Sequence, residues 1–107
     1  MSTIASLSPE PEANGVRHWT LLTSHGRLLL LIAQHPGMRI RELAQAASIT
    51  ERSTQSIVRD LERAGYLTKT KVGRRNEYEV NQGQPFRHPA ESGHTVGELL
   101  HVFAPDS

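Results

Sequence analysis

Arginine, glutamine and hydroxyl side chains recur along residues 50–59, a stretch whose apolar residues are spaced as in a helix. The polar set consists of Thr50, Arg52, Ser53, Gln55, Ser56 and Arg59. Arginine can donate two parallel hydrogen bonds to guanine, glutamine can pair with adenine, and small hydroxyls suit bases or phosphates. The set therefore predicts a helix that reads base edges in the major groove of double-stranded DNA. The alternative is the solvated face of an ordinary amphipathic helix.

A second group of cations follows in the stretch TKTKVGRRNEYEV, residues 68–80. Its four members are Lys69, Lys71, Arg74 and Arg75. The glycine in the middle of the stretch predicts a turn between two short strands. Cations on such a hairpin can neutralise DNA phosphates, and an arginine at the tip can enter a narrow minor groove. We expect Arg74 and Arg75 to project from the tip without a carboxylate partner, free to meet a phosphate.

The sequence leaves the register of this hairpin open. A loop spanning residues 72–76 would place Lys71 opposite Glu77 and Lys69 opposite Glu79, whereas a four-residue loop would break both pairs. Exposed pairs of this kind contribute only ~0.2–1 kcal/mol, so they would tune the strands and do little else.

Metal binding and catalysis have little support in the sequence. Six histidines are present but no cysteine, and the pairs His18/His25 and His94/His101 lack further ligands at close spacing. No nucleophile, phosphate-loop or metalloprotease motif occurs in a suitable context. We therefore predict that the protein is not an enzyme and that it uses no metal and no cofactor.

The elements that must position these side chains follow from apolar spacing and from turn residues. Helices are predicted at residues 19–34, 39–47, 51–64 and 95–103, and strands at 66–72 and 77–81 around a turn at 73–76. Pro36 and Gly37 end the first helix, Thr50 caps the third, and Gly65 follows its end. The predicted fold class is mainly α with a small β-hairpin (α+β). It is a winged helix-turn-helix, with a three-helix core, a wing and a short C-terminal helix.

Composition divides the chain into four segments. Residues 1–16 form a predicted flexible N-terminal tail, 17–81 a DNA-binding domain, 82–94 a connecting loop, and 95–104 a short C-terminal helix that is a candidate dimer contact. The formal net charge of +1 conceals a segregation, because residues 17–75 carry eleven Lys or Arg and four Asp or Glu. A basic body favours a polyanionic partner. With no signal segment and no apolar run of bilayer length, we expect a cytoplasmic, nucleoid-associated protein that contacts no membrane.

The run IRELAQAASITERSTQSIVRDLERAGYLTKTKVGRRNEYEV resembles the winged helix-turn-helix domain of bacterial MarR-type and ArsR-type transcription regulators. The matching features are a helix carrying LA, a turn ending in a small apolar residue and Ser or Thr, a helix ending LERAGYL, and a wing containing GRRNEY. The resemblance covers residues 19–81. It implies that residues 50–64 form a recognition helix, that residues 69–76 form a wing, and that the chain regulates transcription by binding specific DNA sequences.

One domain of this size reads only a few base pairs, so we expect a homodimer on a palindromic site. The expected interface comes from the first and last helices and comprises Trp19, Leu22, Leu29, Leu99, Leu100 and Phe103. The alternative is a winged helix that binds another protein, because fold alone does not fix function. The arginines of the third helix favour DNA, whereas Asp60 and Glu62 argue mildly for the alternative. Whether a small-molecule effector is sensed is unknown from the sequence.

Overall fold

The computed structural model describes residues 19–103. The tail predicted for residues 1–16, the start of the predicted domain at 17 and 18, and residue 104 lie outside the described residues. Within residues 19–103 the elements are α1 (Ser24–Gln34), α2 (Ile40–Ala47), α3 (Glu51–Arg63), β1 (Leu67–Val72), β2 (Arg75–Val80) and α4 (Val96–Phe103). The two strands form one antiparallel sheet. The predicted fold class, an α+β winged helix with a short C-terminal helix, is confirmed.

The first helix begins five residues later than predicted. Thr23 is its N-cap, and the Thr23 hydroxyl accepts a hydrogen bond from the Gly26 amide at 3.2 Å. Before the cap, the Arg27 guanidinium donates to the Thr20 hydroxyl at 2.8 Å and to the Leu22 carbonyl at 3.1 Å. These bonds hold the preceding segment in a non-helical path, which leaves Trp19 75% exposed. The prediction of a helix from residue 19 was therefore wrong.

The second and third helices meet at a tight turn whose ends are both capped. At the other end of α2, where the helix begins, the Arg39 amide donates to Glu42 Oε1 at 2.8 Å. Ser48 ends α2 in the left-handed conformation, with φ of 60°. The predicted cap of α3 is confirmed, because the Thr50 hydroxyl accepts from the Ser53 amide at 2.9 Å. Ile49, between the ends of the two helices, packs against the core.

The hairpin turns more tightly than predicted. Val72 pairs with Arg75, so only Gly73 and Arg74 form the loop, and the turn predicted at 73–76 was wrong. Gly73 has φ of +65°, and glycine at the first central position is the pattern of type II′ hairpin turns. Because of this register, Lys71 lies opposite Asn76 and Lys69 opposite Tyr78. Neither of the Lys–Glu pairs considered for a longer loop forms.

The core lies between the three central helices, the base of the hairpin and α4. Its fully buried members include Leu28, Ile32, Leu43, Thr54 and Val96. Each large aliphatic side chain that is fully buried contributes about 1.5–3 kcal/mol relative to exposure. The core therefore fixes α3 between α1, α2 and β1 rather than leaving it free to rotate.

The connection from the hairpin to α4 packs closely onto the domain. Pro85 and Thr95 form an antiparallel bridge, and the Tyr66 hydroxyl donates to the Pro85 carbonyl at 2.9 Å. The Gly97 amide donates to the Gln82 carbonyl at 2.8 Å, and a Cβ on Gly97 would lie 3.0 Å from that oxygen. Glycine is needed here because α4 approaches this backbone so closely. No helix among residues 19–103 is long and apolar enough to cross a membrane.

Candidate nucleic-acid interface

The polar face of α3 is exposed along its whole length. Its exposed members from the predicted set are Arg52, Ser53, Gln55, Ser56 and Arg59. The opposite face, formed by Thr54, Ile57, Val58 and Leu61, is buried against the domain. Because the buried face is locked in place, the exposed face has a fixed orientation on the molecular surface.

Thr50 differs from the other predicted DNA-binding residues because it already makes hydrogen bonds within the protein. Its hydroxyl accepts from the Ser53 amide, and its carbonyl accepts from the Thr54 hydroxyl at 2.9 Å. These two bonds define where α3 begins and satisfy polar groups of its first turn. Thr50 therefore sets the start of the helix that presents the other predicted side chains.

The two acidic residues in the second half of α3 each lie beside another element. Asp60 Oδ2 lies 2.9 Å from His25 Nε2 on α1. Glu62 is half-buried beside Tyr78 of the hairpin. Partial burial, and secondarily the Glu62 carboxylate, raise the pKa of the Tyr78 hydroxyl. Both carboxylates therefore lie to the sides of the exposed stripe.

Arg63 extends that stripe by one turn and was not among the predicted site residues. Arg63 is exposed. It lies four residues after Arg59, which itself lies three residues after Ser56. Residues at these spacings share one face of a helix. The spacing alone was sufficient to identify Arg63 as a member of the same surface.

The hairpin presents its cations in two different ways. Lys69, Lys71 and Arg74 are exposed, and Arg74 occupies the two-residue tip. Arg75 is also exposed, but its Nη2 donates to the Gly37 carbonyl in the α1–α2 loop at 2.5 Å. The expectation that Arg75 projects freely from the tip was wrong, because the tight turn places this residue in β2, beside that loop.

A groove of about 380 Å³ lies between the hairpin and the start of α2. Arg39 and Met38 line it from the α2 side, and Arg74, Arg75 and Tyr78 line it from the hairpin side. Arg39 is exposed and was not predicted as a site residue. Nothing in the linear sequence places it near the hairpin, because 35 positions separate it from Arg74.

The residues predicted for a dimer interface lie in three different environments. Leu29 and Leu100 are buried in the core of this chain, so they are not available to a partner. Leu22 and Leu99 are partly buried against the same core. Trp19 and Phe103 remain exposed, at 75% and 49% respectively, and Val102 next to Phe103 is 72% exposed.

Within residues 19–103 no group of three His, Asp or Glu side chains is placed to hold a metal ion. The half-exposed contact of His25 with Asp60 and the exposed contact of His94 with Glu98 each join one imidazole to one carboxylate. His25 therefore joins α1 to α3, and His94 joins the connecting segment to the start of α4.

Comparison with known proteins assigns the family. The MarR family model matches residues 19–75, which is more than half of the 107 residues. A search of curated proteins finds no match. The matched region contains the capped turn, the exposed helix α3 and the hairpin up to its tip. Members of this family are DNA-binding transcription regulators rather than enzymes. The chain belongs to the MarR family.

Proposed function

We propose that this protein regulates transcription by binding specific sequences of double-stranded DNA as a homodimer. In this proposal α3 enters the major groove, and the hairpin contacts the backbone or the adjacent minor groove. The observation that carries the proposal is the exposed stripe of α3 formed by Arg52, Gln55, Ser56, Arg59 and Arg63, beside which Asp60 contacts His25 and Glu62 lies near Tyr78. A stripe whose charged side chains are all arginines is attracted to a phosphate-lined groove.

The dimensions of α3 suit this role. Its 13 residues correspond to about 20 Å of helix, and its diameter with side chains is about 10–12 Å. The major groove of B-form DNA is about 12 Å wide, so α3 can lie in it. Arg52, Gln55 and Arg59 have the side-chain types that read base edges, while the hydroxyls of Ser53 and Ser56 can contact bases or phosphates.

The hairpin cations would supply affinity rather than sequence preference. Lysine and arginine contacts to phosphates release counterions and position the protein, but they carry no sequence information themselves. Lys69, Lys71 and Arg74 are exposed and suited to this role. An arginine at the tip, such as Arg74, could also enter a narrow minor groove, where the negative potential is enhanced.

A homodimer would double the contacts by reading two half-sites about one helical turn, or roughly 34–36 Å, apart. The exposed apolar side chains of Trp19, Val102 and Phe103 provide surface for such an interface. We infer that this interface uses the segment before α1 and the end of α4, because Leu29 and Leu100 are already buried.

The test is selection of bound sequences from a random duplex library at about 150 mM salt, where non-specific contacts are weakened. We expect an enriched palindrome for the full chain. An Arg59→Glu variant, which reverses one charge on the exposed face of α3, should lose the enrichment. Recovery of no enriched sequence with the unmodified chain would contradict the proposal and favour a protein-binding role.

A further inference from the structure

The groove between the hairpin and the start of α2 is lined by three arginines and by no carboxylate. Within residues 19–103, neither Arg39 nor Arg74 takes part in a salt bridge. Two guanidinium groups therefore line one groove from opposite walls, with no acidic side chain between them. An anion between the two cations would accept charge-assisted hydrogen bonds from both.

Arg75 differs from these two arginines in what it contacts. Its bond to the Gly37 carbonyl joins the hairpin to the α1–α2 loop across 38 positions of the chain. The bond lies beside Arg39 and Arg74 in the same groove. Because a two-stranded hairpin is only marginally stable alone, this tether fixes the distance between the two walls.

We propose that the groove binds a phosphate of the DNA backbone, with Arg39 and Arg74 as its ligands, and that Arg75 is a positioning residue. This inference rests on the proposed function. It adds Arg39, the N-cap residue of α2, to the DNA-binding surface, and it assigns to Arg75 a different role from that of its neighbour Arg74. Arginine suits the ligand role because its planar fork can donate two parallel hydrogen bonds to phosphate oxygens.

The chemistry of the lining supports a phosphate of an extended polyanion rather than an enclosed small anion. The groove is open to solvent along the hairpin and has room for a phosphate together with its sugar. Met38 and Tyr78 supply apolar surface at its walls, against which a deoxyribose can pack. The groove also begins at the hairpin tip, the part of the proposed wing that would reach along the backbone.

The experiment measures the affinity of the full chain for a random-sequence duplex at several salt concentrations. Each phosphate contact contributes about 0.9 to the slope of log affinity against log salt. We expect Arg39→Ala and Arg74→Ala each to weaken binding. The double variant should lower the slope by about one ion equivalent in total, because both residues hold the same phosphate.

The matched control is Arg87→Ala, which removes the same charge from an exposed arginine that does not line this groove. It should leave affinity and slope nearly unchanged. If Arg39→Ala behaves like this control, the inference is wrong. A loss of about two ion equivalents in the double variant would also overturn it, since the two arginines would then hold separate phosphates.

The role of Arg75 is tested by combining variants. Arg75→Ala should weaken binding roughly tenfold alone and have little effect in the Arg39→Ala/Arg74→Ala background, because a positioning residue acts through the ligands. A further slope decrease in that background would instead show that Arg75 contacts a phosphate itself. Equal weakening in both backgrounds would indicate a general structural role and overturn the positioning role.

The outcome also separates this inference from the proposed function. If the unmodified chain shows no affinity for any duplex, the proposed function fails. If it binds with a salt dependence that Arg39→Ala leaves unchanged, only the phosphate groove fails. The exposed positions of the three arginines make folded variants accessible, and circular dichroism verifies them.

Discussion

Asp60 and Glu62 show how single side chains decide the character of a helix face. In the sequence they interrupt a row of arginines and weaken the case for a nucleic-acid surface. In the structure His25 holds Asp60 on the α1 side, and Glu62 lies near Tyr78. Each of these two carboxylates thus takes part in a contact between elements, and the stripe formed by Arg52, Gln55, Ser56, Arg59 and Arg63 contains no acidic side chain.

Gln55 and Arg59 lie near the middle of that outward face, and we predict that they determine sequence preference. A good bidentate pair between a side chain and a base contributes about 1–3 kcal/mol of discrimination. Gln55→Ala and Arg59→Ala should therefore each relax the preference at one position of each half-site. The measurement is the affinity for the selected palindrome and for its single-base variants.

A control for this prediction is Arg87→Ala, which should leave the order of preference unchanged. If Gln55→Ala or Arg59→Ala instead weakened binding equally on every sequence, that side chain would contact phosphates and not bases.

Among the elements, α4 carries near its start a carboxylate that bonds to two preceding residues. Glu98 Oε2 accepts from the Thr95 amide at 3.2 Å, and Glu98 Oε1 lies 2.7 Å from His94 Nδ1. The hydrogen bond from His94, followed by that from Thr95, holds the pKa of the Glu98 carboxyl below its ordinary value. The same helix buries Val96 and Leu100 in the core.

We predict that lowering the pH weakens the attachment of α4. A carboxyl whose pKa is lower in the folded than in the unfolded state stabilises the fold at pH values above its pKa in the unfolded state. This stabilisation is lost as the pH falls through the pKa of the carboxyl in the folded state. The free energy of unfolding of the unmodified chain should therefore decrease below about pH 4.5 by more than that of Glu98→Gln.

The measurement is urea unfolding of both proteins from pH 7 to pH 3. Glu98→Gln is the matched comparison because it keeps the size of the side chain and cannot ionise. Parallel pH profiles for the two proteins would show that the Glu98 carboxylate does not stabilise α4.

Most of the elements could be predicted from the sequence because their ends carry local signals. The Thr50 cap and Gly65 bound α3 to within one residue, and its exposed face follows from periodicity. The start of α1 could not be found this way, since Trp19 and Leu21 continue the apolar spacing by chance. What stops the helix is a hydroxyl at Thr23, together with bonds from Arg27 to the preceding segment.

The remaining parts of the candidate site depend on distant contacts. The outward stripe of α3 is a property of one helix, so its members could be identified from spacing. The bond from Arg75 to Gly37 joins residues 38 positions apart and depends on a two-residue turn that the sequence left open. The position of Arg39 opposite Arg74 also depends on contacts between residues distant in the sequence. For this reason the groove was not predicted.

At the scale of the whole molecule, three exposed apolar residues, Trp19, Val102 and Phe103, belong to segments other than the hairpin and α3. Phe103 and Val102 end α4, which packs along α1, and Trp19 precedes α1. A two-fold interface uses each contact twice, so one substitution has a doubled effect. We therefore predict that Phe103→Asp raises the dissociation constant of the dimer at least tenfold, or about 1.4 kcal/mol.

Sedimentation velocity in the absence of DNA measures this change. The control is Val72→Asp, which places the same charge at another exposed apolar residue, on the hairpin and outside the proposed interface. The prediction is contradicted if the two variants associate to the same extent as the unmodified chain.

The bond between Arg75 and Gly37 also has a consequence for the entropy of complex formation. An arginine side chain has about 2 kcal/mol of rotamer entropy to lose, and Arg75 gives up part of it when the chain folds. That loss is offset within the folded protein by the hydrogen bond it permits, and it does not recur when a ligand arrives. The conformational entropy of Arg75 is therefore lost once, when the chain folds. In a freely moving hairpin it would be lost at each binding event.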